Sequence, residues 1–310
     1  MKQAAIDAGF ELAGVAPVHE FDELDRFREW IDAGRAGEMK YMEARDDSGG
    51  LRRASLRSTL PWVRSVIVCA INYNTAQPYS THVDDPQRGW IARYAWGKED
   101  YHDAVMRRLR TVEGRLRDAF GDSQLQTRCY VDTGPLVERV YAKYAGVGWI
   151  GKNTCVISPE VGSWIFLAEI ICSLPLAIDE PALDQCGTCA LCIDACPTRA
   201  LTAPGVLDST RCISYLTIEQ RGPIPDEFRE AVGSHVYGCD VCQEVCPWNQ
   251  IAPSSADPAW QPRPVWRDAS VSALAAMSDE ELREAMRGSA MTRTKVSGMR
   301  RNLAVAQERT

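Results

Sequence analysis

Eight cysteines between positions 186 and 246 constrain this 310-residue chain more than any other feature. The first run is Cys186, Cys189, Cys192 and Cys196-Pro197, with gaps of two, two and three residues. The second is Cys239, Cys242 and Cys246-Pro247, with gaps of two and three, and Cys212 upstream supplies the cysteine that this run lacks. The N-terminus, MKQAAIDAGFELAGVAP, carries no charged-then-apolar secretion signal and no twin arginine. No stretch approaches 18 uncharged apolar residues. The expected compartment is therefore the cytoplasm, where a disulfide framework does not persist and such cysteines bind metal or do redox chemistry.

The spacing is that of the bacterial ferredoxins. The short gaps let three thiolates reach three irons of one cube, while the three-residue gap and the proline turn the fourth cysteine toward a second cube. Exchange of the fourth ligands predicts two complete [4Fe–4S] sets. Cys186, Cys189, Cys192 and Cys246 make the first, and Cys196, Cys212, Cys239 and Cys242 the second. Four thiolates each could also build a pair of structural zinc sites, but zinc ribbons do not show this double cadence. Of the four other cysteines, Cys69 and Cys129 lie in apolar strand-like runs and read as small buried hydrophobes. Cys155 and Cys172 carry no assignment. Two adjacent clusters imply one-electron relay to an acceptor elsewhere in the chain or in a partner.

The rest of the chain reads as α+β. Phe21, Leu24, Phe27 and Ile31 recur at helical spacing, with Gly34 as a stop. Ser65 to Ile71, Leu125 to Val131 and Trp164 to Ile171 read as strands. Val105, Leu109, Val112, Leu116 and Phe120 form a long helical stripe, and Pro135 to Tyr144 reads as a helix closed by Gly146. Ser278 and Glu281 form a capping box, and Gly298 to Gln307 reads as one more helix. Proline-punctuated stretches then suggest three parts: 1–175, 176–252 and 253–310. The formal net charge of −7 argues against a general nucleic-acid binder, though not against a local basic face. No oligomerisation motif is evident, so a monomer is expected.

Several further segments, in a fixed order, match the pattern of one known family. They are Gly37-Glu38-Met39 with Tyr41-Met42, Arg93-Tyr94-Ala95-Trp96-Gly97, Asp100-Tyr101-His102, Val131-Asp132-Thr133-Gly134-Pro135 with Glu138-Arg139, and Gly148-Trp149-Ile150-Gly151-Lys152-Asn153-Thr154. Gly162-Ser163-Trp164, Glu169, Arg211 to Glu219, Tyr237-Gly238-Cys239-Asp240, Cys246-Pro247-Trp248-Asn249, Gly288 to Met291 and Arg300-Arg301-Asn302 complete the match, which runs from about Gly9 to Val305.

Together these segments resemble the epoxyqueuosine reductase family, the cobalamin-dependent iron–sulfur enzymes of tRNA queuosine synthesis. The resemblance implies a nitroreductase-like cobalamin-binding α/β domain, a ferredoxin-like domain with two [4Fe–4S] clusters, and a short helical C-terminal tail. It implies that electrons pass through the clusters to cobalamin, and that an epoxide oxygen is removed from the modified wobble base of tRNA. The proton donor falls on Asp132, which taken alone is a turn aspartate. An aspartate serves as an acid near neutral pH only where burial or negative neighbours favour its protonated form. Cobalamin contacts fall on Lys152, Asn153, Thr154 and Ser163, with Arg93, Tyr94 and Asp240 lining the site. The family binds cobalamin without a protein histidine, so His102 takes no metal. His19 and His82 read as surface residues, and His235 as bordering the site. Arg293, Lys295, Arg300 and Arg301 form a basic stretch for the tRNA backbone. An unidentified reductant protein would supply electrons, and no membrane is involved.

The sequence departs from the family pattern in three places. Longer members continue into a helical-repeat domain, whereas this chain stops at Thr310. Glu43-Ala44 intervene before Arg45, and Ala54-Ser55 replace a common Asp-Pro. The alternatives are a reductive dehalogenase-like cobalamin enzyme, an iron–sulfur electron carrier, and a flavin nitroreductase fused to a ferredoxin. A corrinoid or flavin spectrum would separate them.

Overall fold

A computed structural model describes residues 1–121, 125–267 and 270–308. The chain divides into two compact units, each discontinuous in sequence. One comprises Met1–Asn72 and His102–Cys189, the other Tyr73–Tyr101 and Ala190–Thr310. Compactness therefore does not follow the chain order of the three parts read from composition. Among the described residues no helix is long and apolar enough to cross a membrane.

The first unit is built on a four-stranded antiparallel sheet in the order Leu12–Pro17, Ser65–Asn72, Ile165–Cys172, Thr127–Tyr130. The Ser65–Asn72 strand is buried at every residue, as an unbroken apolar, β-branched run demands of a strand covered on both faces. Val66, Val68 and Ala70 join one core with Ala16, Leu136, Val140 and Tyr141. Ile67, Cys69 and Ile71 point the other way and are also buried. Each large aliphatic side chain so covered contributes about 1.5–3 kcal/mol.

The Leu12–Pro17 strand was not expected, because small residues and a terminal proline mask its period. It lies at the sheet edge, where a proline costs no ladder bond. A Cβ on Gly14 would fall 1.8 Å from the Ala145 carbonyl oxygen, so this strand can sit against the neighbouring helix end only as glycine.

The helices of this unit follow the sequence periods. Asp22–Asp32 buries Leu24, Phe27 and Ile31, carries three acidic residues in its first turn and is followed by Gly34 at φ +68°. Tyr101–Phe120 buries Val105, Leu109, Val112 and Leu116, whereas Phe120, expected on the same stripe, is exposed at the helix end, past the core. The helix expected from Pro135 starts only at Glu138 and runs to Tyr144, with Gly146 following at φ +73°. The delay has a local cause. Leu136 is fully buried as a core plug, and its carbonyl accepts from Arg53 Nη1 at 3.1 Å instead of from a helical N–H.

The second unit gathers its core around a short parallel pair, Trp90–Ile91 with His235–Tyr237. Ile91, Trp96, Val236, Tyr237, Trp266, Leu274, Leu282, Met286, Met299 and Leu303 form one cluster. The C-terminal helices Val271–Ala276, Asp279–Met286 and Lys295–Gln307, the expected helical tail, share a core with the segment after the first strand of the pair. The expected capping box is present. Ser278 Oγ accepts the Glu281 N–H at 3.2 Å, and Glu281 Oε2 accepts the Ser278 N–H at 2.7 Å. Asn302 Nδ2 donates to the Thr217 and Val236 carbonyls, each at 2.8 Å, tying the last helix to the pair.

Candidate functional site

The cysteine segment is irregular chain punctuated by single turns. Two one-turn helices, Leu191–Asp194 and Val241–Glu244, hold Cys192 and Cys242 at equivalent positions and pack on each other. Each is followed by a cysteine–proline pair, so the repeat in the sequence is a repeat in space. No cysteine is in a disulfide. All four cysteines of the second expected set, Cys196, Cys212, Cys239 and Cys242, belong to the second unit. Burial holds the Cys212 and Cys239 thiols above the ordinary range, and the neighbouring thiol adds to this in each, Cys196 beside Cys212 and Cys212 beside Cys239. Polar hydrogens already reach this group. The Ala200 N–H donates to Cys196 Sγ at 3.2 Å, and the Cys239 N–H to Ser214 Oγ at 3.1 Å. Of the first set, Cys186 and Cys189 belong to the first unit, Cys192 and Cys246 to the second. Among the described residues no three His, Cys, Asp or Glu side chains gather tightly enough for a single ion. A zinc site needs its four donors around one ion, whereas each thiolate of a cubane holds its own iron.

Asp132 sits at φ +58°, one of four non-glycine residues in the left-handed region among the described residues. It follows the Thr127–Tyr130 strand and presents a carboxylate that is 63% exposed, 3.6 Å from His102 Nε2. Behind it lie two further acids. Glu169 is fully buried in the adjoining strand, and Glu138 opens the following helix with its Oε1 shut off from solvent. The Glu138 carboxyl accepts the Asp132 backbone N–H. Burial pushes both acids well above the usual carboxylate range; for Glu138 the charge of Asp132 adds to this, and for Glu169 that of Glu138. Arg53 opposes the rise in both. Burial therefore favours the protonated form of both.

The expected cobalamin contacts are dispersed in role. Lys152 Nζ donates to the Gly187 and Cys189 carbonyls at 2.6 and 2.7 Å, and Trp149 Nε1 to Cys186 Sγ at 3.4 Å. Asn153 and Ser163 are buried polar side chains, and Asn153 Oδ1 accepts the Cys155 N–H at 3.1 Å. Thr154 is at φ +67°, its carbonyl accepting from Arg139 Nη1 at 2.9 Å. In the second unit Arg93 is buried. Its guanidinium donates to the Thr75 and Gln77 carbonyls at 2.7 and 3.0 Å, over the Trp96 ring. Its backbone N–H donates to Asp240 Oδ2 at 2.6 Å, and burial, with Glu244 beside it, pushes Asp240 up to about 7. Tyr94 donates its hydroxyl to that of Tyr237 at 3.1 Å. His235 is held by the Val232 carbonyl at 3.1 Å, and burial shifts it toward its neutral form.

Three of the four basic residues expected to meet RNA are engaged within the second unit. Arg293 pairs with Glu219 at 2.9 Å. Arg300 pairs with Asp279 at 2.8 Å and reaches the Ala275 and Met277 carbonyls, where the Val271–Ala276 helix ends. Arg301 donates to the carbonyls of Leu216, Gln220 and Gly222 at 2.6–2.7 Å, past the end of the Ile213–Ile218 helix. Arginines here cap exposed helix carbonyls. Lys295 is exposed. Glu138 and Trp149 stand in the matched segments without a role, and Arg53 was not singled out; a glutamate opening a helix has no local signal that separates it from ordinary helix-start charge.

Known proteins align with this arrangement. Residues 53–133 match the family described as "Epoxyqueuosine reductase QueG, DUF1730", and residues 185–249 match the "4Fe-4S double cluster binding domain". The chain is 40% identical over 307 residues to the epoxyqueuosine reductase of Vibrio cholerae serotype O1, covering 99% of this chain and 81% of that protein. A crystal structure of an epoxyqueuosine reductase with a tRNA-Tyr epoxyqueuosine-modified stem loop superposes with a TM-score of 0.86 at 32% identity, over 98% of this chain and 79% of that one. The Bacillus subtilis epoxyqueuosine reductase, solved with an aspartate catalytic loop swung out of its active site, gives 0.85 at 32% identity over the same shares.

Proposed function

The chain belongs to the epoxyqueuosine reductase family, and from that premise we propose how its own residues serve the reduction of epoxyqueuosine at the tRNA wobble position. The overall change takes two electrons and two protons, removes the epoxide oxygen as water and leaves queuosine. Two [4Fe–4S] clusters, on Cys186, Cys189, Cys192 and Cys246 and on Cys196, Cys212, Cys239 and Cys242, together with a cobalamin, supply the electrons when bound. Eight cysteines outside any disulfide are the donor set that cubanes need. For the corrinoid, Lys152, Asn153, Thr154 and Ser163 lie in the same unit as Asp132, and two of them are buried polar side chains. Arg93, Tyr94 and Asp240 support a site rather than offer free charge, since Arg93 and Asp240 are bonded to each other through the backbone.

The observation that carries the acid assignment is Asp132 itself, a non-glycine residue at positive φ with its carboxylate turned outward and His102 beside it. Such a backbone persists only where surroundings over-determine it. Here Glu138 grips the Asp132 N–H, and burial favours the protonated form of the Glu138–Glu169 pair behind the turn. Substrate seated over Asp132 would remove its water and favour the protonated form, which then gives its proton to the opening epoxide oxygen. That an aspartate loop swings out in the Bacillus subtilis relative supports a mobile acid.

The tRNA anticodon loop is the macromolecular substrate, in keeping with the relative solved with a tRNA-Tyr stem loop. Lys295 and the half-exposed Arg293 offer charge to its phosphates, while Arg300 and Arg301 hold the surface that carries them. A separate reductant protein refills the clusters, the working unit is one chain, and a tRNA substrate is in keeping with work in the cytoplasm.

The test is anaerobic reconstitution with iron, sulfide and cobalamin, then turnover on tRNA carrying epoxyqueuosine with nucleosides read by mass spectrometry. Loss of one oxygen from the base that requires cobalamin, and a fall of about 10²–10⁴-fold in Asp132→Asn, would support both parts. Undiminished turnover in Asp132→Asn would move the acid elsewhere.

A further inference from the structure

We propose that Lys152 and Trp149 form a polar clamp on the Cys186–Cys189 loop that raises the reduction potential of the cluster these two cysteines hold. The inference rests on the cluster reading of this segment, and it gives Lys152 a task apart from the corrinoid contact that its position in the chain suggests.

The geometry is direct. Lys152 Nζ lies 2.6 Å from the Gly187 carbonyl and 2.7 Å from that of Cys189, so one ammonium bridges the residue after the first ligand and the second ligand itself. Trp149 Nε1 points at Cys186 Sγ from 3.4 Å. An indole N–H can only donate, so this contact is an N–H···S bond to the ligand sulfur. Gly187, between the two ligating positions, is at φ +50°, and the loop is thus turned to present its carbonyls to the lysine.

The clamp is also rigid. Trp149–Ile150 pairs with Val156–Ile157, and a Cβ on Gly148 would lie 2.4 Å from the Ile157 carbonyl oxygen, so the two arms meet at backbone contact. The turn between them is closed by the Gly151 N–H on the Cys155 carbonyl at 2.8 Å and the Thr154 N–H on the Gly151 carbonyl at 2.9 Å. Trp149 is 1% exposed. Trp149 is thus fixed against the loop, and Lys152 is carried on the same closed turn.

Reduction adds one electron to a cluster and its thiolates. Donors and cations fixed around the sulfurs favour the more negative state and raise the potential. An ammonium held at a ligating loop acts by its charge, and the indole by its hydrogen bond. One group opposes them. Asp184 Oδ1 accepts the Cys186 N–H at 2.8 Å, but that contact is exposed and screened by water.

The experiment is a potentiometric titration of the reconstituted full chain, followed by electron paramagnetic resonance, for the unaltered protein, Lys152→Arg, Lys152→Met and Trp149→Phe. Iron and sulfide are counted on the same samples, so the presence of clusters is read separately from their potentials and from activity on tRNA. Lys152→Met and Trp149→Phe are expected to lower the midpoint of one and the same cluster. A tenfold fall in its reduced-to-oxidised ratio at fixed potential corresponds to about 59 mV for one electron. The other cluster stays in place, and Lys152→Arg keeps the native value. Unchanged midpoints in cluster-loaded Lys152→Met overturn the proposal. Should Lys152→Met lose its iron, Trp149→Phe carries the test, and an unchanged midpoint there overturns it equally. Absence of iron and sulfide from the unaltered protein removes the cluster reading and this proposal with it.

Discussion

Tyr130 and Glu169 are register partners across the sheet of the first unit, so the buried glutamate lies opposite the last strand residue before the turn that carries Asp132. The acid pair thus sits at the hinge of the turn.

That position sets a pH dependence. Glu138 rises from an ordinary 4.5 to about 8, and Glu169 rises with it. A raised acid makes the folded state bind more protons than the unfolded one, so the pair's contribution to stability is full below 4.5 and declines as pH climbs toward 8. Thermal melts across this window should show the decline, and Glu138→Gln or Glu169→Gln should flatten it. Melts of the variants that track the unaltered protein at every pH would show that the pair is not coupled to folding.

The acid limb has a different origin. Burial alone would raise Glu113, but hydrogen bonds from Thr127 and Arg110, with Arg117 nearby, hold it down at about 2. Its contribution is present above 4.5 and lost as pH falls toward 2. With solvent screening it amounts to about 1–2 kcal/mol. Glu113→Gln should lower the melting point at neutral pH and leave it nearly unchanged near pH 2, where the native carboxyl is also protonated.

RNA contact and structural capping can be told apart on the last helix. Arg301→Ala frees three carbonyls and should cost about 1–3 kcal/mol of stability. Lys295→Ala should leave the melt within about 0.5 kcal/mol. If Lys295 meets a phosphate, the same change weakens tRNA binding for all sequences and reduces the salt slope by about 1. Equal salt slopes for Lys295→Ala and the unaltered protein would place the RNA elsewhere.

Two glycines should respond in opposite directions. Gly14→Ala drives a methyl onto the Ala145 carbonyl and should destabilise the first unit by about 3 kcal/mol or more. Gly114 lies inside the Tyr101–Phe120 helix with no atom within 4 Å of its missing Cβ, so Gly114→Ala should stabilise by about 0.5–1 kcal/mol. Denaturant melts of the two variants read both signs at once.

What the sequence determined by itself is whatever lies within a few residues. The cysteine gaps are local, and so is the ligand chemistry they imply. The stripes of Asp22–Asp32 and Tyr101–Phe120, the apolar run at Ser65–Asn72 and the Ser278–Glu281 box are local too, and each is found where its period places it. The Leu12–Pro17 strand was illegible because its partners, not its own side chains, make it a strand. Tertiary structure alone decided which polar groups are spent. Lys152 is engaged by carbonyls 35 and 37 residues away, Arg301 by carbonyls about 80 residues away, and Glu138 meets Glu169 only because a strand and a helix start are brought together. A side chain's type gives its capacity to donate or accept, but its partner is chosen by packing, and packing joins residues whose separation in sequence carries no period to read.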